Sequence, residues 1–285
     1  MSQTSGNSGE DQHFQHYTLK HHVVSWVSRN LFENYTYTVR HGLLSGLKRK
    51  GGLGWVPEIF ASSIETAEID FWRKLPLAGL TVYDVGAFEG LLAMFFASRA
   101  RRVICYEPNS RNHGRLLDNI KLNGFTNVLV RKSGIGEAPQ QIQLIWNPAM
   151  PGGASAETAT AAHLQDTVSG AQVETIPVTT LDKDFEENGL PVPGLIKIDI
   201  EGWELQALKG ARNLLRRFGP ALYLEMHGET MADKKRKVED IVQFLEEMGY
   251  PVIEHVETGQ RVTRANCRIA VEGHLFCPRI SELGS

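Results

Sequence analysis

The stretch Thr81-Val-Tyr-Asp-Val-Gly-Ala-Phe-Glu-Gly90, followed one helix length later by Val103-Ile-Cys-Tyr-Glu-Pro108, constrains this chain more than any other feature. It reads as a strand, a glycine turn, a helix and a second strand ending in a carboxylate, the first half of a nucleotide-type α/β site. In such a turn Gly86 and Gly90 let backbone approach a ligand where a Cβ would clash, and the helix starting near Glu89 points its free N–H groups at the cleft. Ala87 and Phe88 complete the turn. Glu107 stands where a carboxylate accepts both hydroxyls of a ribose. Strands and helices alternate onward, with helix Leu91 to Ala100, strand Arg102 to Tyr106, helix Arg111 to Asn123 and strand Val128 to Lys132. This is the repeat of a parallel sheet with right-handed crossovers.

The dinucleotide fingerprint G-x-G-x-x-G is absent, and an acidic residue, Asp84, precedes the turn. A carboxylate there repels a pyrophosphate but suits a cationic ligand such as the sulfonium and ammonium of S-adenosylmethionine. A second block, Leu195-Ile-Lys-Ile-Asp-Ile-Glu-Gly-Trp-Glu-Leu-Gln-Ala-Leu-Lys-Gly-Ala211, is another strand ending in acid, at Asp199, and running into a helix. Pro220-Ala-Leu-Tyr-Leu-Glu-Met-His227 is a further strand.

With Asp-Val-Gly-Ala-x-x-Gly, Tyr-Glu-Pro, Ile-Asp-Ile-Glu-Gly-Trp-Glu, Leu-Lys-Gly-Ala and Glu-Met-His in this order, the chain resembles the FkbM family of S-adenosylmethionine-dependent methyltransferases over about Gly51 to Gly249. The resemblance implies a class I methyltransferase fold: a Rossmann-like α/β architecture with a mostly parallel seven-stranded sheet and helices on both faces. It also implies methylation of a hydroxyl on a sugar, polyketide or similar metabolite. Family members often have Asn where this chain has Phe88, so the polar contact of that Asn is not available from this side chain. The adenine pocket is expected near Ser133, beyond the third strand, where no carboxylate stands to read the adenine amine.

In an open α/β sheet ligands gather outside the carboxyl ends of the strands, so Asp84, Glu107, Asp199 and His227 are expected to converge. Side chains two apart on a strand share a face, which pairs Asp199 with Glu201 and Glu225 with His227. Three readings of that group stay open. His227 can be a general base oriented by Glu225 or Asp199. Asp199, Glu225 and His227 can instead hold a divalent cation, although no metal is assigned. Glu225 and His227 can also be structural. The competing functions are an N-methyltransferase of a macromolecule and a cofactor-binding or interaction module without turnover.

At 285 residues the sequence suits one catalytic domain with additions. The expected division is a disordered tail over 1–16, a helical and hairpin extension over 17–76, and a methyltransferase domain over 77–280. An amphipathic helix is expected from Leu19 to Leu31, and Tyr35 to Arg40 with Leu47 to Lys50 reads as a β-hairpin. The histidines His13, His16, His21 and His22 read as a solvated tail more readily than as a metal site. The formal charge of −3 offers no global attraction to nucleic acid. No apolar run approaches the ~20 residues of a membrane span. The polar N-terminus lacks a signal-peptide profile, and Cys105, Cys267 and Cys277 form no C-x-x-C pair, so a cytoplasmic location is expected. The Ala-, Gly-, Ser- and Thr-rich stretch Asn147 to Gln172 reads as a lid or a disordered loop between two strand-like runs.

Overall fold

The computed structural model describes residues 34–51, 66–147, 150–155 and 172–280. The polar tail, the Leu19 to Leu31 helix and residues 156–171 of the expected lid lie outside them. The expected hairpin forms from β1 (Thr36–Thr38) and β2 (Lys48–Lys50), paired antiparallel. It docks on the helix that follows the ribose-type motif: Lys48 and Lys50 donate their N–H groups to the side chains of Asn123 and Asn119, at 2.7 and 2.8 Å. Helix α1 (Ala67–Lys74) starts at Thr66, whose hydroxyl accepts the Ile69 N–H in the manner of an N-cap.

The main sheet then begins with β3 (Thr81–Val85), α2 (Leu91–Ala97), β4 (Arg102–Tyr106), α3 (Ser110–Leu122) and β5 (Val128–Arg131). Next comes a second sheet made by β6 (Gly134–Ile135), β7 (Gln140–Asn147), β8 (Met150–Ser155) and β9 (Gln172–Thr179). The chain returns through α4 (Leu181–Glu187) to β10 (Leu195–Ile198), α5 (Glu204–Lys209), α6 (Arg212–Phe218), β11 (Ala221–Glu225) and α7 (Met231–Glu247). It finishes with β12 (Glu254–His255), β13 (Gln260–Arg261) and β14 (His274–Cys277).

The main sheet has eight strands in the order β13-β12-β14-β11-β10-β3-β4-β5, against the seven expected. The difference is the two-residue β13, which turns back on β12 around Thr258 and Gly259. Strands β11, β10, β3, β4 and β5 are mutually parallel, and β14 joins β11 antiparallel. Alternate side chains feed two cores. Val82, Val103 and Cys105 pack with Trp72, Met94, Phe95, Phe96 and Leu116, while Tyr83, Val85, Ile104 and Tyr106 pack with Leu208, Leu215, Val238 and Leu245 on the opposite face. Strands β4 and β5 extend one way from β3 and β10 extends the other, so the order reverses at the β3–β10 boundary, where a crevice opens beyond the strand ends.

The segment 147–172 is not one long loop. Met150–Ser155 pairs antiparallel with β7, which pairs antiparallel with β9 along Gln140 to Trp146. The sequence of β8, Met150-Pro-Gly-Gly-Ala-Ser155, holds none of the β-branched or aromatic residues by which a strand is recognised.

Candidate active site

The crevice encloses about 990 Å³, open solvent included, and is lined by the ends of β3, β4 and β10 together with the second sheet. Gly86, Phe88, Glu107, Ser133 and Asp199 line it, as the sequence suggested. Asp84, Ala87 and Gly90 do not. Ala87 is buried with its N–H donated to the carbonyl of Tyr106 at 3.0 Å, and Gly90 caps α2 in the left-handed region at φ 89°.

The glycines are also required by contacts within the chain. A Cβ on Gly86, at φ 81°, would lie 1.8 Å from the carbonyl oxygen of Asp199, and one on Gly90 would lie 2.4 Å from Leu116. The close approach is therefore between two parts of this chain, and it brings the β3 turn against the end of β10. Phe88 also has a positive φ, 51°, a conformation that Asn adopts more readily than an aromatic residue. Its N–H donates to Glu107 Oε2 at 2.9 Å, so the turn is tied to the end of β4 through backbone, whichever side chain stands at 88.

Glu107 is 6% exposed and accepts a second N–H, from Asn109, at 2.9 Å. Burial pushes its carboxyl up to about 7, against the lowering effect of these two bonds and of Asn112. Ser133, Gly134 and Ile135 continue the floor, and Ile142, Leu144, Ile176 and Val178 from β7 and β9 form an apolar wall. These four residues belong to the two strand-like runs that flank the expected lid, and nothing local to those runs says that a second sheet closes the crevice.

Asp84 does not line the crevice. It is fully buried and meets Lys197 Nζ at 3.5 Å, its register neighbour on β10. Lys197 also contacts Asp199 Oδ2 at 3.0 Å and donates to the Gly86 carbonyl at 3.0 Å. The cation expected beside Asp84 is thus supplied by the chain. Its signal was a single lysine in the apolar strand Leu195-Ile-Lys-Ile, a residue that is buried only with a partner. Burial raises the Asp84 carboxyl and works against the lysine charge, but Asp199 and Asp84 together hold Lys197 protonated, above its usual range. Asp199 is held below the usual range, since Lys197 and His227 outweigh its burial.

Behind Asp199 lies His227. Its Nδ1 is 3.0 Å from Glu204 Oε1, and its Nε2 is 3.5 Å from Glu225, 3.7 Å from Glu201 and 3.8 Å from Asp199. Burial alone would lower its pKa; Glu204, Glu201 and Asp199 instead carry it up to about 10. An imidazole held protonated has no lone pair to offer and His227 does not line the crevice, so this arrangement lends the expected general-base role no support. Glu225 is shared between His227 and His274, which lies 3.8 Å away. Neither Glu225 nor His227 lines the crevice, whereas Glu201 does. Among the described residues, one donor atom each from Asp199, Glu201 and His227 lie within 4.8 Å of one another, a spread that one cation can span; Glu225 is outside that set. No helix among the described residues is long and apolar enough to cross a membrane.

Comparison with known proteins bears on this site. Over 135 residues the chain is 27% identical to the hexuronic acid methyltransferase AglP of Haloferax volcanii, an alignment covering 47% of this chain and 51% of that protein. The chain therefore spans about half the length of this curated relative. The crystal structure of methyltransferase FkbM from Methylobacillus flagellatus aligns with 75% of this chain and 48% of its own, at 19% identity and a TM-score of 0.49. A ribosomal protein L11 methylase from Lactobacillus delbrueckii aligns with 75% of this chain and 76% of its own, at 16% identity and a TM-score of 0.40. The fold is the class I methyltransferase α/β fold. Residues 84–252, which include the end of β3, the Glu107 turn, β10 and His227, match the methyltransferase FkbM domain, and the chain belongs to the FkbM family of methyltransferases.

Proposed function

We propose that this chain binds S-adenosylmethionine in the crevice beyond β3, β4 and β10 and transfers its methyl group to a hydroxyl of a small, sugar-like acceptor. The observation that carries the reading is Glu107. It is a buried carboxylate, lining the crevice at the end of β4, and two backbone N–H groups hold it in place. With these two and the Asn112 side chain as donors, its remaining lone-pair capacity is left for a ribose hydroxyl. The apolar wall of Ile142, Leu144, Ile176 and Val178 suits the face of an adenine ring, with polar backbone at Ser133 and Gly134 along its edge.

Methyl transfer from a sulfonium is an in-line displacement, so the protein mainly aligns the acceptor oxygen, the methyl carbon and the sulfur. The Lys197 bridge to Asp84, Asp199 and the Gly86 carbonyl fixes the β3 and β10 ends relative to each other and provides that rigidity. Asp199, Glu201 and Trp203 line the crevice next to this bridge and form the acceptor side. Hydrogen-bond acceptors there favour a polyhydroxylated substrate, and the relative named for hexuronic acid motivates the sugar class.

The test is incubation with methyl-tritiated S-adenosylmethionine and p-nitrophenyl β-D-glucuronide or β-D-glucoside. Label that enters the glycoside and survives mild alkali is the expected ether. Label released as methanol marks an ester, and label found only on amines of added peptide or RNA marks an N-methyltransferase; either result overturns the reading.

A further inference from the structure

We propose that Glu201 accepts the proton of the acceptor hydroxyl during methyl transfer. This rests on the hydroxyl-methylation reading above. Four carboxylates surround His227: Glu204, Glu225, Asp199 and Glu201. The imidazole donates from Nδ1 to Glu204, a side chain 1% exposed, and turns Nε2 toward the other three. Glu204 also accepts the N–H of Gly202 at 3.0 Å, so it has no free path to the crevice. Glu225 does not line the crevice and is shared between two histidines. Asp199 does line it, but Lys197 Nζ lies 3.0 Å from its Oδ2 and ties up the negative charge. Glu201 alone of the four lines the crevice without a lysine partner, and its nearest cation is the imidazole at 3.7 Å, beyond hydrogen-bond distance.

The turn aims it there. Glu201 and Gly202 both adopt positive φ, 52° and 101°, directly after the end of β10. The backbone reverses at the lip of the crevice, and the Glu201 side chain stays 39% exposed, as does Glu225, against 29% for Asp199 and 1% for Glu204. The groups facing Glu201 are Asp199 from the β10 end, Glu204 from α5, and Glu225 and His227 from the β11 end.

The step balances without a further reagent. An oxygen lone pair of the hydroxyl forms the new O–CH3 bond, the S–CH3 bond breaks, and its electron pair returns to sulfur as a neutral thioether. The hydroxyl proton passes to the Glu201 carboxylate and leaves to solvent through its exposed side. His227 is a positioning residue whose charge keeps the neighbouring carboxylates ionised.

Two measurements test the assignment on the full chain. The first needs no acceptor: with S-adenosylhomocysteine bound, the side-chain carboxyl carbon signal that disappears in Glu201→Gln should report an ionised carboxylate at pH 8. A carboxyl still protonated at pH 8, with no site to take up the proton, overturns the proposal. The second is single-turnover transfer to p-nitrophenyl β-D-glucuronide, in which Glu201→Gln should slow the methyl step by about 10²–10⁴-fold with unchanged S-adenosylhomocysteine affinity, and Glu201→Asp should recover part of the rate. Undiminished transfer by Glu201→Gln overturns it. So does chelator-sensitive transfer by the wild type combined with loss of manganese binding in Glu201→Gln, which would make Glu201 a cation ligand. Failure of the wild type to bind S-adenosylhomocysteine at all would instead refute the cofactor reading on which the proposal stands.

Discussion

The Nδ1 atom of His227 lies 3.0 Å from Oε1 of Glu204, a carboxylate almost completely withdrawn from solvent, and the same oxygen accepts the N–H of Gly202. One acid therefore orients the imidazole and pins the turn that carries Glu201. This couples the protonation of His227 to the stability of the site.

The folded-state pKa of His227, about 10, exceeds its ordinary value of 6.5. The stability it contributes is thus fully present below pH 6.5 and is lost as pH rises through 10. Replacing it, as His227→Gln, leaves the buried acids without their cation. We expect a loss of about 3 kcal/mol in urea unfolding at pH 6.5, with the gap to the wild type narrowing steadily toward pH 10. A gap independent of pH would show that the imidazole is not held charged.

Gly86→Ala should be among the most damaging single changes in the chain. The added Cβ meets the Asp199 carbonyl oxygen at 1.8 Å, and the residue stays in the left-handed region, so backbone must move on two strands. A loss of about 4 kcal/mol, or failure to fold, is expected from thermal melts. Gly79→Ala, at φ 77° but facing open space, is the control and should cost about 1 kcal/mol.

Lys197→Met should destabilise by about 3–5 kcal/mol at pH 7, because it strands Asp84, whose burial is complete, without its counter-charge. The double variant Lys197→Met with Asp84→Asn should regain a large part of that loss. A double variant no more stable than the single one would remove Asp84 from the account.

The parallel sheet and its crevice were legible because strand, glycine turn, helix and acidic strand end follow each other within one short segment, where periodicity is informative. Glu107 fell into place for the same reason. Asp84 and Lys197 were not readable as a pair: the contact joins β3 to β10, more than a hundred residues apart, and only the sheet order makes them neighbours. His227 was legible as a member of the site but not in its protonation state, which depends on Glu204, a residue from α5 that reaches back to the end of β11. The apolar wall was hidden likewise, since the strand-like runs of β7 and β9 identify strands but not the surface they cover.

The central claim is that Glu107 holds the ribose of S-adenosylmethionine, and calorimetric titration with S-adenosylhomocysteine examines it most directly. Burial holds the free carboxyl near 7, and ribose hydroxyls donate to its ionised form, so wild-type affinity should be level above about pH 8 and fall about tenfold per unit below about pH 7. Glu107→Ala, shown folded by its melting curve, should lose about 2–4 kcal/mol of binding at pH 8 and lose the pH dependence with it. Equal affinity of wild type and Glu107→Ala at pH 8 would contradict the assignment of this crevice.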